Sequence, residues 1–322
     1  MKFLTVLCAL CFGLLTLAPA CSDELEMASQ ALLQGDTRLA KKLIEHSKKA
    51  MTPELFELNV AYQIVLKDID AAIEILTVYE TQYASLARTH AFAAEAWRSI
   101  GHQVNIFRKR GYYNKALQAK LQAGVAANTS PKFMVMRASA LGQTEEISHQ
   151  QKVTQEIASI DQKWGYIAQI NLAQNSENFT RGKELALQAI ANHPNDFFVN
   201  ERVAQYYWTL GDDIQAQRYF LRACKNRIFG QWYDNVKWLN ACQLVVHFTE
   251  EKGLAPEAGI SALKVLLAEF SLFTYENVDY ARQLIRIADD KNTKIAADYL
   301  NRVIQSSSDS ELVSAAVLAL DS

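Results

Sequence analysis

Phe198, Glu201, Gln205 and Trp208 follow one another at intervals of three, four and three residues. On an α-helix that spacing brings all four side chains to one face. Two aromatic rings with a carboxylate and an amide between them offer stacking and hydrogen bonding, which is the chemistry of binding. Trp164, Ile167, Asn171 and Gln174 repeat the spacing one segment earlier, and Trp232 with Asn235 opens it again one segment later. The candidate binding residues are therefore Trp164, Asn171, Phe198, Glu201, Gln205, Trp208, Trp232 and Asn235. Aromatic anchors dominate many interfaces, but a tryptophan equally fills a wide gap between helices. Trp208 and Trp232 stand open to both roles.

Reaction chemistry has no comparable foothold. The chain carries no HExxH, GxSxG or CxxC motif and no phosphate-binding glycine loop. Its six histidines are scattered, none four residues from another. No metal site, no cofactor and no enzymatic activity are expected. A formal charge of -2 supplies no global field for nucleic acid. The run "FRKRGYYNK", Phe107 to Lys115, is read as the solvated C-terminal end of a helix, where cations complement the dipole. Contact with anionic lipid head groups or a nucleic acid is the other reading of that run.

The elements that carry these residues are legible in "YYWTLGDDIQAQRYFLRA", Tyr206 to Ala223. Gly211-Asp212 separates two helical runs. Val203, Ala204 and Tyr207 share a face of the first; Ala216, Phe220 and Ala223 stand at i, i+4 and i+7 on the second. Small residues let helices approach closely and large ones fill the holes between them. One segment earlier come Ala173, Ala189 and Pro194, with Gly182 where an alanine is expected. Near the start, Ala28, Ala31, Gly35-Asp36, Ala40 and Ile44 repeat the device. Asp68, Ala72 and Leu76 give it without the glycine. Gly111, Ala116 and Ala123 give it after a long first helix containing Trp97 and Phe107.

This pattern resembles the tetratricopeptide repeat, a helix–turn–helix unit of about 34 residues. The resemblance implies an all-α superhelix, a solenoid of roughly eight helix pairs. The pattern is clearest over 163–229, passes into divergent pairs over 231–305 and ends in a capping helix at 311–320. It also implies a concave groove lined mainly by the first helices. In this family a clamp of Lys, Arg and Asn can hold a peptide C-terminus. Asn171 stands at a clamp-like place, but Ile167 occupies the position of the lysine, which argues against that use.

The N-terminus, "MKFLTVLCALCFGLLTLAPAC", has a basic Lys2, an uncharged apolar run from Phe3 to Leu17 and then Ala18-Pro19-Ala20. That is the layout of a secretory signal over 1–20, leaving a helical repeat domain over 21–322. Ala18 and Ala20 suit ordinary cleavage before Cys21. The same cysteine also resembles the lipid-bearing residue of bacterial lipoproteins, although Leu17 sits one place early and Pro19 precedes Ala20. Ser22 would then imply the outer membrane. Either route places the protein in the periplasm or cell envelope, with a lipid on Cys21 as its sole membrane attachment. An oxidising compartment permits a Cys224–Cys242 disulfide. Antiparallel neighbouring helices nevertheless predict a separation of a turn or two, which favours two buried thiols. The expected function is a non-enzymatic envelope scaffold docking a protein partner in its groove. The alternative is a periplasmic protein that holds a small organic ligand for a solute transporter.

Overall fold

In the computed structural model the described residues are 18–47, 52–127, 129–228, 231–269, 275–287, 290–307 and 310–321. The expected signal segment falls outside them as far as position 17, and so does the side chain of Cys21. Among the described residues there are seventeen helices and no strand. They pair in chain order. The first four pairs are α1 (Ala18–Leu33) with α2 (Thr37–His46), α3 (Pro53–Val65) with α4 (Ile69–Gln82), α5 (Ala87–Gln103) with α6 (Ile106–Ala126), and α7 (Pro131–Gln143) with α8 (Ile147–Ile160). Then come α9 (Gln162–Asn175) with α10 (Phe179–Asn192), and α11 (Phe197–Thr209) with α12 (Asp213–Lys225). The last pairs are α13 (Trp232–Lys252) with α14 (Pro256–Glu269), and α15 (Tyr275–Ile287) with α16 (Asp290–Ser306), closed by α17 (Ser310–Leu320).

One turn device recurs inside these pairs. A residue in the left-handed region is followed by a polar side chain that caps the second helix. Gly35 (φ 79°) precedes Asp36, which accepts from the Leu39 N–H at 2.9 Å. Gly211 (φ 74°) precedes Asp212, which accepts from the Gln215 N–H at 3.1 Å. Lys67 (φ 62°) and Glu177 (φ 55°) take the glycine's place before the caps Asp68 and Asn178. The left-handed conformation costs a side-chain-bearing residue about 1–2 kcal/mol, so cap and packing, more than glycine, specify the turn. The packing residues are buried as the spacing implies: Ala216 and Ala223 are fully enclosed, and Tyr207 stacks on Tyr219 at 5.6 Å.

The third pair departs from the sequence reading. Trp97 and Phe107 do not share a helix; the chain breaks at Val104 and Asn105, whose side chain caps α6 by accepting from the Arg108 N–H at 3.2 Å. Gly111 lies inside α6 with open space around it. A polar N-cap starts a helix more strongly than one exposed glycine stops it. Arg108, Lys109 and Arg110 therefore stand in the first turns of α6, against the dipole and not in favour of it.

Gly182, where an alanine is expected, has a direct steric cause. A Cβ there would lie 2.5 Å from the Tyr206 hydroxyl and 2.7 Å from its ring. Tyr206 is fully buried, and its hydroxyl donates to the Phe179 carbonyl at 2.6 Å. Gly182→Ala is expected to destabilise the protein by about 1–3 kcal/mol through overpacking. Urea unfolding of the variant measures this, and an unchanged midpoint would refute the contact.

The helix α13 sets the shape of the concave side. Cys224, near the end of α12, and Cys242, midway along α13, have Cα atoms 4.8 Å apart and form a disulfide. The expectation of two separated thiols is thus corrected: it assumed that α13 starts level with the end of α12. Instead its first half overshoots that end, and the Trp238 indole donates to the Cys224 carbonyl at 2.8 Å to fix the register. The overshooting segment reaches back to the first pairs. Trp232 packs against all four apolar clusters of the described residues, and Tyr233 is buried with Phe56, Phe92 and Trp97. α13 also contacts α1. The superhelix closes on itself.

Candidate ligand-binding site

Five first helices, α5, α7, α9, α11 and α13, together with Lys120 of α6 and Phe220 of α12, surround a half-open cavity of about 450 Å3 on the concave side. Its size falls within the range of small-molecule sites, about 300–1,000 Å3. The lining is cationic: Arg98, Lys120, Lys132, Arg202 and Lys237 face it, against two carboxylates, Glu95 and Glu201. Aromatic and amide groups complete the wall, among them Trp164, Phe198, Tyr233, Asn171 and Gln205.

Burial and charge act together on these groups. Burial pulls the Lys120 ammonium below its ordinary range, with Glu95 working against the shift. Lys132 is likewise lowered by burial; its ammonium donates to the Asp234 carboxylate at 2.7 Å and lies 5.0 Å from the Tyr233 ring centre. Arg202 is lowered to about 10 by burial, opposed by Glu201. Burial also raises the Glu201 carboxyl. Burial works against Glu95 too, yet Lys237, Arg98 and Lys120 hold its carboxyl below the usual range. Several polar atoms are left over. The Tyr233 hydroxyl, Arg202 Nε and Asp234 Oδ1 are enclosed and have no partner among the described residues. Groups of this kind are costly to bury unmatched, the Tyr233 hydroxyl and Arg202 Nε as donors and Asp234 Oδ1 as an acceptor.

Of the residues singled out in the sequence, Trp164, Asn171, Phe198, Glu201 and Gln205 line this cavity. Trp164 packs on Phe198 with ring centres 5.0 Å apart, and Gln205 hydrogen-bonds Glu201. Trp208 and Asn235 do not line it. Trp208 lies edge-on to Phe220 and Phe248 at 6.2 and 5.8 Å, and Asn235 accepts from Arg227 at 2.9 Å within a cluster that includes Glu269. Trp232 lines a second, more apolar lobe of about 270 Å3, walled by Leu33, Ile64, Phe92, Val236 and Leu239. Glu95, Arg98, Tyr233, Lys237 and Asn240 border both lobes.

The cations escaped the sequence reading because they stand on five helices spread from residue 98 to residue 237. One signal was available: Glu95 with Arg98, and Glu201 with Arg202, are acid–base neighbours within otherwise buried first helices.

These first helices form the inner layer of stacked two-helix units, with second helices outside them. The fold is tetratricopeptide-like. No protein-family model matches the chain, and no curated protein matches it either. Solved structures that resemble this tetratricopeptide-like superhelix include a thermophilic tetratricopeptide-repeat protein of Thermus thermophilus, at 16% identity and a TM-score of 0.45, covering 58% of this chain and 99% of that one. NprR in complex with its cognate peptide NprX is another, at 13% identity and a TM-score of 0.33, covering 94% and 99%. These are likenesses of fold alone. Among the described residues no helix is long and apolar enough to cross a membrane, and no group of His, Cys, Asp and Glu side chains is placed to hold a metal ion.

Proposed function

We propose that the protein is a non-catalytic binding protein of the cell envelope that holds a compact anionic ligand on its concave side. The observation that carries this reading is the excess of cations around the larger cavity: five against two lining carboxylates, with Arg98 paired to Glu95 and Lys132 to Asp234, and Lys120, Arg202 and Lys237 partly buried beside them. An anion there replaces lost hydration with charge-assisted hydrogen bonds. Trp164 and Phe198 supply a flat apolar wall beside those cations. The position of α13 favours a compact ligand over a docked protein, since its first half occupies much of the space that a partner helix or strand would need. The signal-like N-terminus and the Cys224–Cys242 bridge support an oxidising compartment outside the cytoplasm.

Isothermal titration with citrate and inorganic phosphate tests the reading. At least one anion is expected to bind, with affinity falling as salt rises. Lys237→Ala is expected to weaken binding by about tenfold or more, the effect of losing one charged hydrogen-bond partner. Lys237 is the right probe because its charge acts on Glu95, Lys120, Lys132 and Glu201 alike. Absence of anion binding, or binding indifferent to Lys237→Ala, would refute the site.

A further inference from the structure

The two lobes meet along Tyr233 and Lys237 of α13, and their linings differ in kind. One is ringed by cations. The other is walled by Leu33, Ile64, Phe92 and Val236, with Trp232 at its side. Tyr233 lines both lobes, as do Glu95, Arg98, Lys237 and Asn240. We infer that the lobes form one site for an anionic amphiphile: its head group lies against Lys237, beside the Arg98–Glu95 pair, and its alkyl chain fills the apolar lobe. This rests on the anion-binding reading and extends it.

The physical case is complementarity on both sides of the border. A small anion alone satisfies the cations and leaves the apolar lobe to water, where its surface gains nothing. A neutral alkyl compound fills that lobe and gives Lys237 no counter-charge, while Arg98 keeps its pair with Glu95 at 2.9 Å. One molecule with a charged end and an apolar tail answers both demands. The apolar walls come from α1, α3, α5 and α13, so the tail site exists because α13 folds back onto the first pairs. Either a carboxylate or a phosphate monoester supplies the head group, since both present oxygens to cationic donors.

The test uses the full-length protein and calorimetric titration with hexanoate, octanoate, decanoate and decyl phosphate below their micelle concentrations. Citrate and decanol serve as head-only and tail-only controls. Affinity is expected to rise about fourfold for each added methylene until the lobe is full, and decanol is expected to bind at least about tenfold more weakly than decanoate. Tighter binding in the carboxylate or the phosphate arm identifies the head group. Val65→Trp places bulk on a half-exposed lining position of the apolar lobe; it should flatten the chain-length dependence and leave citrate binding intact. Citrate binding without any chain-length dependence overturns the amphiphile and spares the anion site. Equal binding of decanol and decanoate also overturns it, and failure of every anion overturns both readings.

Discussion

Replacing Arg88 with methionine is expected to destabilise the protein by about 3–5 kcal/mol at neutral pH, the effect of orphaning a buried charge. Glu57 of α3 is only 2% exposed, and two bonds from Arg88 hold it, at 3.0 and 3.1 Å, together with the Tyr79 hydroxyl, which donates at 2.7 Å. Arg88 also pairs with Glu54, so the guanidinium ties α5 to α3 through two carboxylates. Burial already pushes the Glu57 carboxyl above its ordinary range, against the pull of Arg88. Removing Arg88 raises it further, and the sign of the pH dependence follows. A carboxyl whose folded pKa exceeds its unfolded value prefers to be protonated in the folded state, so it destabilises most where the unfolded group is ionised. The gap between Arg88→Met and the parent should therefore be widest near neutrality and narrow as the medium is acidified towards the ordinary glutamate range. Adding Glu57→Gln to Arg88→Met should recover much of the loss at neutral pH. Urea unfolding across that range decides it; a gap independent of pH would show that Glu57 is not the group left behind.

The second large effect belongs to the disulfide. Cys224 and Cys242 are separated by 18 residues, and removing a bridge across such a loop is expected to cost about 3 kcal/mol through the freedom returned to the unfolded chain. Both cysteines are fully buried in the native protein. A reductant should therefore act chiefly through unfolding, and the parent in excess dithiothreitol should unfold with the midpoint of the Cys224→Ala, Cys242→Ala double variant. The bridge also fixes how far α13 overshoots α12, so the double variant should bind anions more weakly than the parent. Full stability of the double variant under oxidising conditions would contradict this account.

Local features of the fold were legible in the sequence. The Gly35-Asp36 and Gly211-Asp212 turns are written in adjacent residues, and the alanines that bury against the next helix follow at fixed intervals. The turn at Lys67 could be read through its cap alone, because Asp68 does the work that a glycine would ease. Gly111 misled because glycine is ambiguous: it permits a turn, and it also sits in a solvated helix at modest cost. The face that lines the larger cavity was legible on α9 and, Trp208 apart, on α11, where helical spacing governs direction. On α13 it was not. Which side of that helix Asn235 takes depends on its register against α12, set by Trp238 and the cysteines, and no spacing within α13 encodes that.

A linear stack of repeats frays from its ends, one unit at a time, since each unit leans only on its neighbours. The seam between α13 and α1 removes that freedom from the greater part of this chain. Peeling away α1 and α2 would strip Trp232 of part of its bed, and dislodging α13 would uncover the opening pairs. The helices from α1 to α13 should consequently come apart as one cooperative block, while α15 to α17, beyond the seam, remain free to unzip first. Slow protease digestion should nibble the C-terminal helices and then stall.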